Sequence, residues 1–138
     1  ANPLWANAKQ IVSGTLGTAV VAGSAGTFID IAGLAGTITT NPNTTLIVMA
    51  RLGALINNTS TAGVTINLAI DGTVQGDESL FYYRSTTGGD DYKTAEIHHV
   101  VSGLAAASHI LKFQWKVNAG TASIGNGFAG SRFDIIEI

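Results

Sequence analysis

The residues of this chain whose types could support chemistry are its three histidines, His98, His99 and His109. Side chains of adjacent strand residues point to opposite faces of a sheet, so His98 and His99 cannot ligate one ion within a single chain. His109 could join either of them, and a homotrimer could gather three copies of one histidine on its axis. Packing between strands or exposure on the surface is the simpler interpretation, and we predict no metal site.

Two acidic clusters, Asp77-Glu78 and Asp90-Asp91, are the next candidates. A glycosidase needs two carboxyl groups on either side of one bond, and calcium needs several oxygen ligands around one point. Nothing in the sequence requires the clusters to meet, so we interpret them as solvated loops. The Gly-x-Ser-x-Gly nucleophile motif of hydrolases is also missing from the sequence. We therefore predict a protein that is not an enzyme and uses no cofactor.

The stretch Gly125–Gly130 matches the dinucleotide-binding pattern Gly-x-Gly-x-x-Gly letter for letter. That motif works only between a strand and a helix, because the helix N-terminus holds the pyrophosphate. The eight residues that follow Gly130 have the pattern of a strand. We interpret the motif as a turn between two strands.

Composition excludes several classes of function. The chain has 138 residues, which suits one domain, and only 12% of them are charged, about half the usual share. The net charge is −2 and the basic residues are scattered from Lys9 to Arg132, which argues against a nucleic-acid partner. There is no cysteine for a disulfide or a thiolate metal site, and no apolar run reaches the roughly 20 residues that a membrane helix needs.

The elements that would position these residues are β-strands. Between Thr44 and Gly72, every second residue is apolar on both sides of a polar link, which is typical of strands with one face in a core. We predict a long antiparallel hairpin here, closed by the tight-turn dipeptide Asp71-Gly72. Its predicted inward residues are Leu46, Val48, Ala50, Leu52, Ala54, Ile56, Val64, Ile66, Leu68 and Ile70.

Further short strands follow the same pattern, and no segment has a helical period longer than one turn. Their regular spacing predicts an all-β antiparallel sandwich or barrel. In one of them Leu111, Phe113, Trp115 and Val117 point inward, and in another Ile97, His99 and Val101 share one face. The predicted segments are Thr18–Ala22, Thr27–Ala32, Thr37–Thr40 after a bend at Gly33–Gly36, Thr94–Ser102, His109–Asn118, Thr121–Ile124 and Arg132–Ile138.

Two segments are apolar on both faces, which predicts burial between subunits in a chain so poor in charge. The last strand carries Phe133 and Ile135 on one face and Ile136 and Ile138 on the other. Tyr82 and Tyr83 cannot both point inward, so one of them is exposed or at an interface, where it could also stack on a sugar. The predicted interface residues are Leu80, Phe81, Tyr82, Tyr83, Ile136 and Ile138.

Residues 1–10 have no period and form a predicted N-terminal arm before a single domain at residues 11–138. Leu4 and Trp5 are large and apolar, which is an unusual choice for a free tail. They either fold back onto their own domain or dock on a neighbour. We predict docking, on an adjacent subunit or on another partner protein, with Trp5 as the anchor.

Three sequence features together resemble a known family. They are Ile70-Asp71-Gly72 at the end of a long strand pair, Ser102–Ala105 before His109, and Trp115-Lys116 ahead of a Gly/Thr/Ser stretch and an apolar last strand. In these the chain is similar to the small jelly-roll domains, of the tumour-necrosis-factor/C1q-like kind, of structural proteins of tailed bacteriophages. The similarity covers most of the chain from about Thr27 onward.

This resemblance implies an antiparallel β-sandwich with jelly-roll topology and a homotrimer. It also implies a non-enzymatic virion protein that decorates and stabilises the exterior of a capsid, with the major capsid protein or another virion component as partner. No nucleic acid or membrane is expected as a partner. The alternative is the head domain of a tail fibre that binds a receptor or glycan. The chain has no fibre-like repeat before the domain, so we favour decoration.

Overall fold

A computed structural model describes residues 9–16, 20–57, 63–75, 80–86, 91–124 and 130–138 of the chain. These residues form β-strands joined by short turns. The strands are β1 (Gln10–Leu16), β2 (Val20–Thr39), β3 (Thr44–Asn57), β4 (Gly63–Ile70), β5 (Thr73–Val74), β6 (Phe81–Arg84), β7 (Asp91–Leu104), β8 (Ser108–Ile124) and β9 (Ser131–Glu137).

The strands form two antiparallel sheets, of four and five strands, packed as a sandwich. Sheet I has the order β1-β9-β3-β7, and sheet II contains β2, β8 and β4, with β5 and β6 both paired to β4. The sheets are linked at one corner, where Ile56 and Asn57 of β3 pair with Ser123 and Ala122 of β8. The predicted all-β antiparallel sandwich is confirmed.

Strand pairing is nested along the chain. The first strand pairs with the last, β2 with β8, β3 with β7 and β4 with β6. The pairs β1·β9 and β3·β7 belong to sheet I, whereas β2·β8 and β4·β6 belong to sheet II. The chain therefore crosses from one sheet to the other at most of its connections. The first and last described segments are therefore neighbours in sheet I.

The predicted hairpin of two strands between Thr44 and Gly72 is wrong. Both strands exist, but β3 pairs with β7 and β9 in sheet I, whereas β4 pairs with β8, β5 and β6 in sheet II. Alternation specifies which face of a strand is buried, not which strand lies beside it. Two consecutive strands show the same alternation whether they pair with each other in one sheet or face each other across the core from opposite sheets.

Strand β2 is longer than the sequence pattern indicates. It joins the described parts of the three predicted segments, from Val20 to Thr39, into one strand, which shifts register against β8 three times. One shift falls between Asp30 and Ala35 and contains Gly33 at φ +85°. The predicted bend at Gly33–Gly36 is therefore an irregularity within a strand. Strand β1 was not predicted, because its residues alternate only weakly in polarity.

The core lies between the two sheets and follows the predicted faces. Trp115 and Phe113 are each 1% exposed, and the ring of Phe113 lies 5.9 Å from that of Phe133. Gly14 leaves room for the Phe133 ring, because a Cβ at Gly14 would lie 2.6 Å from its Cζ atom. The predicted inward residues that are confirmed as buried are Leu46, Val48, Ala50, Leu52, Val64, Ile66, Leu68, Ile70, Ile97, Val101, Leu111, Phe113, Trp115, Val117, Phe133 and Ile135. The side chains of Ala54 and Ile56 lie outside the described part, and His99 is half-buried.

The predicted tight turn at Asp71-Gly72 is confirmed. Both residues have positive φ, 51° for Asp71 and 82° for Gly72, and Ile70 pairs directly with Thr73 across the turn. Positive φ at both central positions is the signature of the type I′ hairpin turn, which Asp-Gly adopts with little strain.

Candidate interaction surfaces

The outer face of sheet I carries a row of aliphatic side chains that crosses all four strands. In the strand registers Ile11 lies opposite Ile136, Ile136 opposite Ile47, and Ile47 opposite Val100. The two ends of the row are open, with Ile11 52% and Val100 63% exposed, whereas Ile136 is 7% exposed. We call these four residues the aliphatic row. A contiguous apolar strip on a sheet face is typical of an interaction surface.

A polar cleft lies beside the aliphatic row on the same face. It has a volume of about 310 Å³. Arg132 Nη2 donates to Asp134 Oδ1 at 2.8 Å, while Arg51, which lies opposite Arg132 in the register, makes no ion pair or hydrogen bond among the described residues. The cleft is lined by Met49, Ala50, Arg51, Glu96, His98, Arg132 and Asp134. Its two cationic and two acidic side chains give it almost no net charge, so it does not select an anion or a cation.

The outer face of sheet II carries an aromatic residue and a cation in register. Lys116 of β8 lies opposite Thr65 of β4, and Thr65 lies opposite Tyr82 of β6. Tyr82 is 56% exposed. Its ring lies over Gly63, where a Cβ would be 2.8 Å from ring atom Cε2 and 2.9 Å from the hydroxyl oxygen. The edge of the ring, with the hydroxyl group, therefore packs against Gly63.

The charges of this face are arranged along β8. Lys112 Nζ donates to Asp30 Oδ2 at 2.8 Å, and Gln114 Nε2 donates to Asp30 Oδ1 at the same distance. Lys116 has no carboxylate partner in the described part of the chain, and its Nζ atom lies 5.1 Å from the centroid of the Phe28 ring. Within the described ranges, Lys112 is therefore neutralised by a neighbouring carboxylate and Lys116 is not.

Asp71, His109 and Ala105 form a polar cluster, which we call the polar clasp, between the turn after β4 and the start of β8. His109 Nδ1 lies 2.7 Å from Asp71 Oδ2, and His109 Nε2 lies 2.9 Å from the carbonyl oxygen of Ala105. Both partners are acceptors, so the protonated imidazolium satisfies both contacts. The carbonyl of Ala105 and the carboxylate of Asp71 accordingly raise the pKa of His109 above 6.5, and the hydrogen bond from His109 lowers the pKa of Asp71 below 3.8.

A buried carboxylate at the same end was not predicted. Glu137 is fully buried, and it accepts hydrogen bonds from the backbone N–H of Asn41 at 2.8 Å and from Gln10 Nε2 at 2.6 Å. These donors, with the Asn41 bond largest, lower its pKa from the ordinary 4.5 to about 2. The sequence signal is a lone glutamate in the otherwise apolar segment Ile135-Ile136-Glu137-Ile138.

The histidines do not converge. His98 is exposed, His99 is half-buried, and His109 is held by Asp71 and Ala105. In the described ranges no group of three or more His, Cys, Asp and Glu side chains could hold a metal ion. Asp77, Glu78, Asp90 and residues 125–129 lie outside those ranges. The segment that follows Gly130 is strand β9, as predicted.

The predicted interface residues fall on two different surfaces. Ile136 belongs to the aliphatic row of sheet I, and the half-buried Ile138 follows it at the end of β9. The other four are in or next to β6 of sheet II, where Leu80 and Phe81 are half-buried against the core. Tyr83 is buried and Tyr82 exposed, which confirms that the two tyrosines point in opposite directions. Leu4 and Trp5 lie outside the described residues.

No protein-family profile matches this sequence, and a search of curated proteins finds no significant similarity. The described part of the chain has no helix that is long and apolar enough to cross a membrane.

Proposed function

We propose that this protein is a non-enzymatic virion structural protein, a homotrimeric auxiliary protein that decorates and stabilises the exterior of a capsid. The observation that carries this proposal is the aliphatic row, whose ends, Ile11 and Val100, are 52% and 63% exposed on the outer face of sheet I. The resemblance to bacteriophage jelly-roll domains is the reason to propose a bacteriophage capsid as the particle that it decorates. The partners are other copies of this chain and the major capsid protein or another virion component.

The proposed topology is that of a jelly roll. In that topology a long antiparallel hairpin of strand pairs is rolled into two facing sheets. The nested pairs β1·β9, β2·β8, β3·β7 and β4·β6 support it, since each successive pair lies one step further inside the hairpin. Strand β5 is a short addition beside β4 at the Asp71-Gly72 turn.

The proposed trimer is a closed ring of heterologous contacts, in which each subunit contributes two different surfaces. One is the aliphatic row with Ile138 at the end of β9. The other is the edge of sheet II at β6, where Leu80 and Phe81 are only half-buried and β6 pairs with β4 alone in the described part of the chain. Tyr83 is already buried in its own core, so it needs no partner.

A second candidate function is the head of a tail fibre that binds a glycan. The exposed Tyr82 ring favours it, because a flat aromatic face suits the apolar face of a sugar ring. Burial of Tyr82 at a trimer interface and stacking of Tyr82 on a sugar exclude each other. We assign Tyr82 to the glycan surface, because it shares the outer face of sheet II with Thr65 and Lys116, on the opposite side of the sandwich from the aliphatic row.

One experiment tests the leading proposal. Purified protein is mixed with capsids that lack it, and binding is measured by co-sedimentation and by imaging of the particles. Saturable binding at threefold positions of the capsid supports decoration. Absence of binding to capsids, together with labelling of the tail tip in intact particles, would overturn decoration in favour of the fibre head.

A further inference from the structure

We infer that the outer face of sheet II binds an acidic glycan, with a sugar ring stacked on Tyr82 and the glycan carboxylate held by Lys116. This inference deepens the second proposed function and rests on it. It names the class of ligand and the residues that select it. The site is the in-register set Lys116, Thr65 and Tyr82 on three adjacent strands.

Tyr82 supplies the stacking surface. The edge of its ring packs against Gly63, and glycine is the one residue type that leaves room for it, since a Cβ there would be 2.8 Å from ring atom Cε2. More than half of the side chain remains exposed, at 56%. An aromatic ring whose edge is held against a strand offers a face for stacking with little further loss of side-chain freedom on binding.

Lys116 supplies the charge. Its ammonium group lies 5.1 Å from the centroid of the Phe28 ring, which limits its positions, and it has no carboxylate partner in the described ranges. Lys112, on the same face of the same strand, is already paired with Asp30 at 2.8 Å. Among the described residues, the lysine of β8 without a carboxylate partner is therefore the one in register with Tyr82, and it complements a ligand carboxylate.

The distance between Lys116 and Tyr82 allows one glycan to contact both residues. Adjacent strands are about 4.8 Å apart, so Lys116 and Tyr82, two strands apart, are roughly 10 Å apart at the backbone. Thr65 lies between them and offers a hydroxyl group for a sugar hydroxyl. Arg84 and Lys112 are the other basic residues on this face among the described strands, and a nucleic acid would need a broader basic patch. A glycan that carries isolated carboxylates fits better.

The experiment uses the full-length protein and two matched probes. The first is an oligosaccharide of alternating glucuronic acid and N-acetylglucosamine, and the second is the same oligosaccharide with its carboxylates reduced to alcohols. An array of uronate-bearing, sialate-bearing and neutral glycans extends the comparison, and affinities are measured by calorimetry at physiological salt. We expect the acidic members to bind more tightly than their carboxyl-reduced counterparts.

Four variants assign the site. Lys116→Gln should weaken binding of the acidic glycan about tenfold or more and leave binding of the reduced one unchanged, because a hydrogen bond to a charged group is lost. Lys112→Gln removes the same charge from the same strand and should change the affinity less than threefold, because salt screens it at that distance. Tyr82→Ala should weaken both probes about five- to tenfold, whereas Tyr82→Phe should keep most of the affinity.

The outcomes separate this inference from the functions on which it builds. Equal binding of acidic and reduced glycans, with no effect of Lys116→Gln, would overturn the acidic selectivity but leave a glycan-binding head intact. Binding to no glycan on the array would overturn the inference and the fibre-head proposal together. If Lys116→Gln and Lys112→Gln weaken binding of the acidic glycan to the same extent, the charge effect is diffuse. That result would overturn the role of Lys116.

Discussion

Asp71 and His109 are 38 residues apart in sequence, and their side chains meet at 2.7 Å. Asp71 Oδ1 also accepts the backbone N–H of Ile110 at 2.8 Å, so one carboxylate binds both the side chain and the backbone at the start of β8. The two residues belong to two of the sequence features that carry the family resemblance, Ile70-Asp71-Gly72 and Ser102–Ala105 with His109. Those features therefore have a structural role, which is to fasten β4 to β8 in sheet II.

The first prediction concerns the pH dependence of this clasp. The raised pKa of His109 means that its contribution to stability is complete below pH 6.5 and is lost as the pH rises through the raised value. The lowered pKa of Asp71 means that its contribution is present above pH 3.8 and is lost on further acidification. We expect the melting temperature of the wild type to fall as the pH rises above 6.5, and His109→Gln to remove that fall.

Asp71→Asn is the matched variant for the clasp. Asparagine tolerates positive φ and can still accept the Ile110 N–H, so the turn should persist while the charge is lost. The alkaline fall in melting temperature should become smaller and begin at lower pH. A pH profile of Asp71→Asn that is identical to the wild-type profile would contradict the proposed pairing.

The second prediction concerns Glu137. In Glu137→Gln one of the two acceptor oxygens becomes an NH₂ group, so either Gln10 Nε2 or the Asn41 N–H loses its acceptor beside a buried side chain. We expect this change to lower the free energy of unfolding at pH 7 by about 1–3 kcal/mol, measured by urea denaturation. Glu96→Gln, an exposed carboxylate on sheet I, should change it by less than about 0.5 kcal/mol.

Acid titration gives an independent reading of the same residue. With its pKa lowered from 4.5 to about 2, Glu137 stabilises the fold above pH 4.5 and loses that contribution as the pH falls towards 2. The wild type should therefore lose stability more steeply than Glu137→Gln across this range. Parallel curves would show that Glu137 does not carry the charge that the structure indicates.

The third prediction concerns the contact of Gly14 with Phe133. In Gly14→Ala the new Cβ would lie 2.6 Å from Phe133 Cζ, so the buried ring must move. We expect a loss of about 1–3 kcal/mol in the free energy of unfolding, as for overpacked cores. Gly26→Ala is the control, since no atom lies within 4 Å of the added methyl group. Equal effects of the two substitutions would contradict the steric argument.

The fourth prediction concerns the aliphatic row. Val100→Lys places a charge at its most exposed end, which is 63% exposed in the single chain. If sheet I forms the trimer interface, this change should shift the protein from trimer to monomer at micromolar concentration in light scattering. Ile110→Lys alters an aliphatic residue of β8 that is 47% exposed, and it should leave the trimer unchanged. A wild-type monomer, or a trimer that tolerates Val100→Lys, would refute this interface.

The fifth prediction concerns the N-terminal arm. Burial of one large apolar side chain contributes about 1.5–3 kcal/mol, so an anchor at Trp5 would add measurably to binding. Deletion of residues 1–8 should leave the melting temperature nearly unchanged and weaken assembly or attachment to the capsid, and Trp5→Ala should have part of that effect. If the isolated truncated protein melts at a much lower temperature, the arm packs into the core of its own domain and the docking prediction is wrong.

The sequence by itself determined the faces of the strands and one turn. Leu111, Phe113, Trp115 and Val117 are buried as the period-two pattern predicts, because alternation follows from backbone geometry within a single strand. The turn at Asp71-Gly72 was also predictable, since few residue pairs adopt positive φ twice in succession at low cost. Both are local properties, and local sequence is sufficient for them.

Only the tertiary structure decided which strands are neighbours. Strand β3 pairs with β7 and β9 instead of β4, although the alternation in β3 and β4 is the same for either arrangement. The aliphatic row, the set formed by Lys116, Thr65 and Tyr82, and the burial of Glu137 all follow from those pairings. Each brings together residues from strands far apart in the chain, and their contact depends on the register of long-range hydrogen bonding, which the alternation within one strand does not encode.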